Sequence, residues 1–464
     1  MGAALKLDYT YRYARPSQMT DSGAERGLHL ATFGGAGAAP AEHPFFFDGK
    51  VRAPHVVAGM LLTLAKVVST RFWMPLNPAL LDPVVTSSEE LLRFEGFSSC
   101  CGVYARADFE APTFAADILG RGTTNVDFNA AMRAALAQVR QSDTVRLAVG
   151  ADAVHLTRAD QAVVEKKVKL PVRWIKGFTE VQAYLPELQP RFTIAAAETV
   201  RFLRALPRGG NPRQASWVTA LGRGLRLSQR EAKGAVRVTG PERIRILEPM
   251  LMHAKELTVW ASDDSPVSAW EVIFPTGRFS ILISPELSRG FSGEGQMLER
   301  LASDAHADAL PHVKAALRWQ ARIDAAEVGA QASLTAAQVE AALAVLGSRG
   351  LVGYDLARRA YFHRELPFDM EKVESLHPRL LDARKLVEAK QVRVVSKTGE
   401  GDALQAEAYV QGTDVEHRVR LRPEGDTCTC PWYGKHQGDR GPCKHVLAAR
   451  LVLDMDEYDS ETAD

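Results

Sequence analysis

Cysteine is scarce, with five in 464 residues. So few thiols in so long a chain exclude a disulfide framework and make a reducing, cytoplasmic setting the expectation. Net charge is scarce too: Lys+Arg 57 against Asp+Glu 56 gives no overall pull toward nucleic acid or an anionic membrane. Long apolar runs are missing. The most apolar stretch, VVAGMLLTLAKVV (Val56–Val68), is too short to cross a bilayer and carries Lys66, so it reads as a buried amphipathic helix. The opening MGAALKLDYTYRYARP turns polar before a secretory core could form, and Lys6 stands where myristoylation needs Ser or Thr. No membrane partner is expected.

Catalytic signatures are absent as well. FGGAGAAP and SRGFSGEG lack the Gly-Lys-Ser/Thr ending that grips phosphates and read as turns. His155, His253, His306, His312, His363 and His377 are scattered, with no His-x-x-x-His and no Ser/His/Asp grouping. GRGTTNVDFN (Gly120–Asn129) reads as a capped loop before a helix, with a ligand loop as the alternative. Adjacent Cys100 and Cys101 point to opposite sides of a strand, so they read as small core residues. No catalytic residue is assigned, and a non-enzymatic protein is expected.

What is present is length and mixed patterning. At roughly 100–200 residues per domain, the chain holds three or four units. The expected class is α+β and multidomain. Residues 1–43 form an N-terminal segment and connector, and 44–207 a mixed α/β region. There PHVVAGMLLTLAKVVSTRF and NAAMRAALAQVRQ have helical spacing, and TVRLAVGADAVHLTR reads as a hairpin. AAAETVRFLRALPRGG is a helix stopped by Pro207 and Gly209-Gly210. Residues 213–325 read as β-rich, with GAVRVTGPERIRILEP strand-like and SAWEVIFPTGRFSILISP a hairpin across Pro275-Thr276-Gly277. Trp174 and Phe178 in VRWIKGF sit at helical spacing and read as core, although the interleaving with Arg173 and Lys176 also suits stacking on bases.

Charge is unevenly spread. Between Arg140 and Arg245, 20 Lys/Arg stand against 9 Asp/Glu, whereas the tail 455–464 is acidic. This pattern fits either a polyanion-binding face with a competing tail, or an ordinary solvated surface with a disordered terminus.

Residues 333–368 form a clear unit. Thr335 and Gln338 make a capping box, and Val339, Leu343 and Leu346 an apolar stripe. Gly350 is placed to end the helix in a left-handed conformation. LVGYD and AYFHREL follow as strands around LARR. Helix plus hairpin resembles the end of a winged-helix domain. Its would-be recognition helix exposes Gln338, Glu340, Ala341, Ala344 and Ser348, a poor set for reading bases. Only Arg358 and Arg359 on the wing suit phosphate, so a packing or protein-docking role is favoured over DNA reading.

Three of the five cysteines crowd into DTCTCPWYGKHQGDRGPCKHVLAARLVLD. Cys428 and Cys430 are two apart, and so are Cys443 and His445 at the start of an apolar helix. The Pro/Gly-rich spacer can fold the two pairs together. Three thiolates and an imidazole suit one structural tetrahedral zinc, with His436 a rival ligand whose spacing mirrors neither pair. The three thiolates leave about one excess negative charge on the site. Lys435, Arg440 and Lys444 stand near enough in sequence to offset it or to contact phosphate or a partner.

Cys-x-Cys, a linker and Cys-x-His before an apolar helix resemble the SWIM zinc finger, with KQVRVVSK and AEAYVQGTDVEHRVRLRP as its β lead-in, so residues 390–454 form the last unit. The order of units, with blocks such as RFEGFSSCCGVYARADF, GTTNVDFN and LPVRWIKGF, is similar to bacterial SWIM proteins of the YehQ type. That resemblance implies an adaptor or subunit working with a MoxR-type AAA+ ATPase and a von Willebrand A-type protein. The alternatives are a direct DNA-binding protein using the finger, the basic middle and the wing, and an enzyme with an N-terminal active site.

Overall fold

The computed structural model of the protein describes residues 9–11, 18–21, 26–30, 45–70, 83–88, 90–117, 121–125, 128, 130–150, 168–170, 172–209, 214–286, 289–293, 295–298, 308–366, 377–399 and 403–461. Helices and strands are mixed and the strands fall into several sheets. The connector FGGAGAAPAEHP, most of GADAVHLTR and the last three residues of the acidic tail lie outside the described residues. The final helix, Lys444–Glu461, runs into the first part of that tail.

The largest sheet has eight antiparallel strands. Their order is Gln189–Ala195, Glu256–Ala261, Ser268–Phe274, Gly277–Ile283, Val103–Glu110, Leu91–Phe97, Val84–Ser87 and Gly122–Asn125. Strand Val103–Glu110 pairs with Gly277–Ile283, from Phe109 opposite Gly277 to Val103 opposite Ile283. This pairing joins in one sheet the segments that the sequence reading separates at 207/213. One apolar core accordingly runs from Phe47 to Leu366. The hairpin over Pro275-Thr276 forms with Phe274 opposite Gly277.

Alternation along the central strands gives the sheet two unlike faces. Phe94, Ala105, Ala107, Phe109, Phe279, Ile281 and Val272 share the apolar face. Helix Pro54–Ser69 packs against strands Leu91–Phe97 and Val103–Glu110. It starts at Pro54, buries Val57, Met60, Leu61 and Leu64, and keeps Lys66 exposed in its last turn. The opposite face carries Arg93, Glu95, Arg106, Asp108, Arg278 and Glu271, all buried.

That charged face is covered by the unit read as winged-helix-like. Helices Ala325–Ala332 and Ala336–Ser348 precede strands Val352–Asp355 and Ala360–His363, and the Thr335/Gln338 capping box and left-handed Gly350 are in place. Asp355 enters the charged layer, where its Oδ2 accepts from Arg93 (2.5 Å) and Arg278 (3.0 Å), with Arg106 3.6 Å from Oδ1. Phe362 lies under the Arg93 guanidinium, 3.7 Å from ring centroid to Cζ. Arg364 donates to Glu95 at 2.7 Å. Ser348 is buried rather than exposed, because helix Ala336–Ser348 packs on helix Val172–Tyr184 and Gly347 lies against Gln182.

Glu271 has no hydrogen-bond partner in this layer, and its nearest cation is Arg278 Nε at 3.9 Å. Burial pushes its carboxyl up to about 7, against the pull of Arg278 and Arg106. Between the ordinary value of 4.5 and about 7, the folded protein therefore holds a proton that the unfolded chain has released, and stability falls as pH rises through that window. Glu271→Gln is expected to flatten this slope, which is worth about 1.4 kcal/mol per pH unit of separation. Denaturant midpoints at about pH 5 and about pH 8 check it, and equal slopes in wild type and variant would refute the assignment.

One strand-like reading is corrected. After strand Val236–Thr239, residues Pro241–His253 form a 3-10 helical segment, because left-handed Gly240 turns the chain and Pro241 sets the first helical position. Trp174, Phe178, Cys100 and Cys101 are buried, as expected of core residues, but the two cysteines lie in the turn between strands Leu91–Phe97 and Val103–Glu110, with Cys101 left-handed, and not on a strand.

Candidate metal centre

The C-terminal unit has its own core, which includes Leu380, Ala408, Val410, Val419, Val446 and Leu447 together with the three cysteines. Strands Val392–Thr398, Gln405–Gln411, Glu416–Leu421 and Thr427–Cys428 form one antiparallel sheet, as the β lead-in implies. Cys428 ends the short strand paired with Val419. Two residues on, Cys430 caps helix Pro431–His436, its Sγ accepting from the Tyr433 amide at 3.3 Å. Left-handed Gln437, Gly438 and Gly441 bring the chain back. Cys443 then precedes helix Lys444–Glu461, whose first turn carries His445.

The ligand atoms of Cys428, Cys430, Cys443 and His445 all lie within 4.8 Å of one another, and Cys428 Sγ is 3.9 Å from His445 Nδ1. Zinc bonds of about 2.3 Å to sulfur and about 2.0 Å to nitrogen fit this cluster after small side-chain adjustments. The four residues are 7%, 2%, 1% and 4% exposed, so the set is buried, with Cys430, Cys443 and His445 forming part of the wall of an apolar hollow. Without a cation the thiols divide their protons: hydrogen bonds from Cys428 and Cys443 hold Cys430 far below its ordinary value, while Cys428 is pushed up by its bond to Cys430. Three thiolates packed this closely need a cation to be charged together. The four residues are positioned to bind one zinc ion. His436 is outside the cluster, with its ring 4.7 Å from that of Trp432.

The candidate contact residues divide. Lys435 is exposed on the rim of a cleft, and half-buried Lys444 lines an apolar hollow beside the metal ligands with Trp432 and Val415. Arg440 points into the protein, donating to the Gly293 carbonyl at 2.6 Å, with Glu286 at 3.9 Å. Arg358 pairs with Glu90 at 2.7 Å, and Arg359 donates to the Leu188 carbonyl at 3.2 Å. Both wing cations are thus engaged with the main body.

Arg379 was not legible in the sequence, because it lies outside the cysteine motif, on helix Pro378–Glu388. It donates to the carbonyls of Arg440 (2.9 Å) and Pro442 (2.8 Å), next to Cys443, and its guanidinium sits 4.6 Å from the Trp432 ring centroid. Burial lowers its pKa to about 10. Arg379→Met keeps the bulk and removes the donors, and charge-assisted bonds are worth about 1.5–3 kcal/mol each. The variant is expected to retain zinc but to release it faster to a chelator. Unchanged release would show that the loop needs no such support.

The family model for the SWIM zinc finger matches residues 417–453, the stretch that carries all four ligands. No curated protein matches the chain. Among solved structures, it is similar to the proliferating cellular nuclear antigen of Entamoeba histolytica. The identity is 8%, over 52% of this chain and 99% of that one, with a TM-score of 0.33, too slight a likeness to assign the fold. Among the described residues no helix is long and apolar enough to cross a membrane.

Proposed function

We propose that the protein is a non-enzymatic, zinc-containing adaptor. Its SWIM finger mediates contact with protein or nucleic acid in the cytoplasm, inside a multi-component system with a MoxR-type AAA+ ATPase and a von Willebrand A-type protein. One observation carries the reading of the zinc as structural: all four metal ligands are buried protein side chains. A zinc so enclosed keeps no position for substrate or an activated water, so it shapes a surface. The 333–368 unit serves as a packing or protein-docking winged helix. Arg358 and Arg359 are engaged with the main body, which weighs against DNA recognition through the wing. Affinity capture from the native host, with and without nuclease, tests the proposal. Nuclease-resistant recovery of an AAA+ ATPase is the expected result, and loss of all partners after nuclease would overturn the protein-adaptor reading.

A further inference from the structure

The basic middle of the chain contains a surface that the adaptor reading does not use. Strands Ala215–Leu221, Gly224–Ser228 and Val236–Thr239 form a small antiparallel sheet. One face is apolar, with Val218, Val236 and Val238 in the core. On the other, Trp217 stands opposite Arg237 on one neighbouring strand and Ser228 on the other, and Thr219 stands opposite Arg226. Arg223, Arg230 and Lys233 lie in the connecting turns. None of these five cations has a carboxylate partner among the described residues, and Trp217 is half-buried with no ring contact there.

This face runs into a cleft of about 770 Å³ whose far wall belongs to the zinc finger. Trp217, Lys233 and Arg237 line one side, and Lys435, His436 and Arg440 the other. Carboxylates are present too. Asp263 pairs with Arg191 at 2.8 Å and Glu286 faces Arg440 at 3.9 Å, while Glu231, Asp264 and Asp439 are also in the cleft. The cleft alone is therefore balanced in charge. The cations in excess, Arg223, Arg226 and Arg230, belong to the 215–239 sheet and its turns outside the cleft.

We infer that the exposed face of the 215–239 sheet, together with Lys435 of the finger, binds single-stranded nucleic acid, with Trp217 stacking on a base. Arg226 and Arg237 stand on the two outer strands, about two strand spacings (roughly 9.6 Å) apart across the sheet, so they can hold phosphates on either side of a base stacked on Trp217. An aromatic ring among unpaired cations on an antiparallel sheet suits splayed bases, whereas paired bases in a duplex present no free face to it. The site is separate from the wing and from the metal ligands.

The test is fluorescence anisotropy of a labelled oligothymidylate with the full-length, zinc-loaded protein. Binding is expected to weaken as salt rises, with a log–log slope of about −0.7 per phosphate engaged. Stacking is worth roughly a 5-fold to 100-fold loss on removal, so Trp217→Ala should lose binding in that range while Trp217→Phe keeps most of it. Arg226→Ala with Arg237→Ala should reduce both affinity and slope. Unchanged zinc content and melting temperature establish that the variants fold. The inference is overturned if the oligonucleotide does not bind at low salt, or if Trp217→Ala binds like wild type. Equal binding of a duplex, or equal displacement by polyglutamate, would also overturn it, since either marks a general polyanion surface.

Discussion

Removing zinc is expected to unfold the C-terminal unit and leave the eight-stranded sheet intact. Metal binding is folding free energy in modules of this size, about 10–16 kcal/mol in comparable peptides. The three cysteines are part of a core separate from the one that runs from Phe47 to Leu366. With a strong chelator, or in Cys428→Ala or Cys443→Ala, amide exchange should accelerate across strands Val392–Thr398, Gln405–Gln411 and Glu416–Leu421. Protection in Val103–Glu110 and Gly277–Ile283 should persist. Full protection of the finger strands without metal would refute a structural role for zinc.

The second large effect is expected at Asp355. Burial works to raise its pKa, but Arg93, Arg106 and Arg278 hold it well below the usual carboxylate range. Asp355→Ala leaves those three buried guanidinium groups with Asp108 as the one carboxylate they still share, at 3.1 to 4.0 Å. Removing one member of a buried ion pair costs about 3–5 kcal/mol. For a body of this size the melting temperature should drop by roughly 10 °C. Zinc content should not change, because the layer lies outside the finger. Replacing Asp355 together with Arg278 by apolar residues of similar volume should recover part of the loss. A variant as stable as wild type would show that the hairpin is held by its apolar contacts alone.

The site was legible because its signal is local. Two ligand pairs, each with one intervening residue, sit where a strand ends and a helix begins, and the structure brings all four together. The Thr335 capping box, the hairpin over Pro275-Thr276 and the Val56–Val68 helix are local in the same way. The large sheet is not. Asp108 and Arg278 bond at 3.1 Å across 170 residues of chain, and no short window encodes that pairing. The charged face was not legible for a related reason. Nothing in the local alternation of Arg93, Glu95, Arg106 and Asp108 marks them as buried, because the hairpin that covers them lies far along the chain. Arg440 and the wing arginines likewise read as free cations until the carbonyls and carboxylates that hold them are located.

X-ray absorption at the zinc edge of the purified full-length protein tests the central claim most directly. One zinc per chain is expected, with three sulfurs at about 2.3 Å and one nitrogen at about 2.0 Å. That shell should lose a sulfur, or the metal itself, in Cys428→Ala, Cys430→Ala and Cys443→Ala. A shell containing a water or carboxylate oxygen would contradict a closed structural site and return the zinc to the list of catalytic candidates.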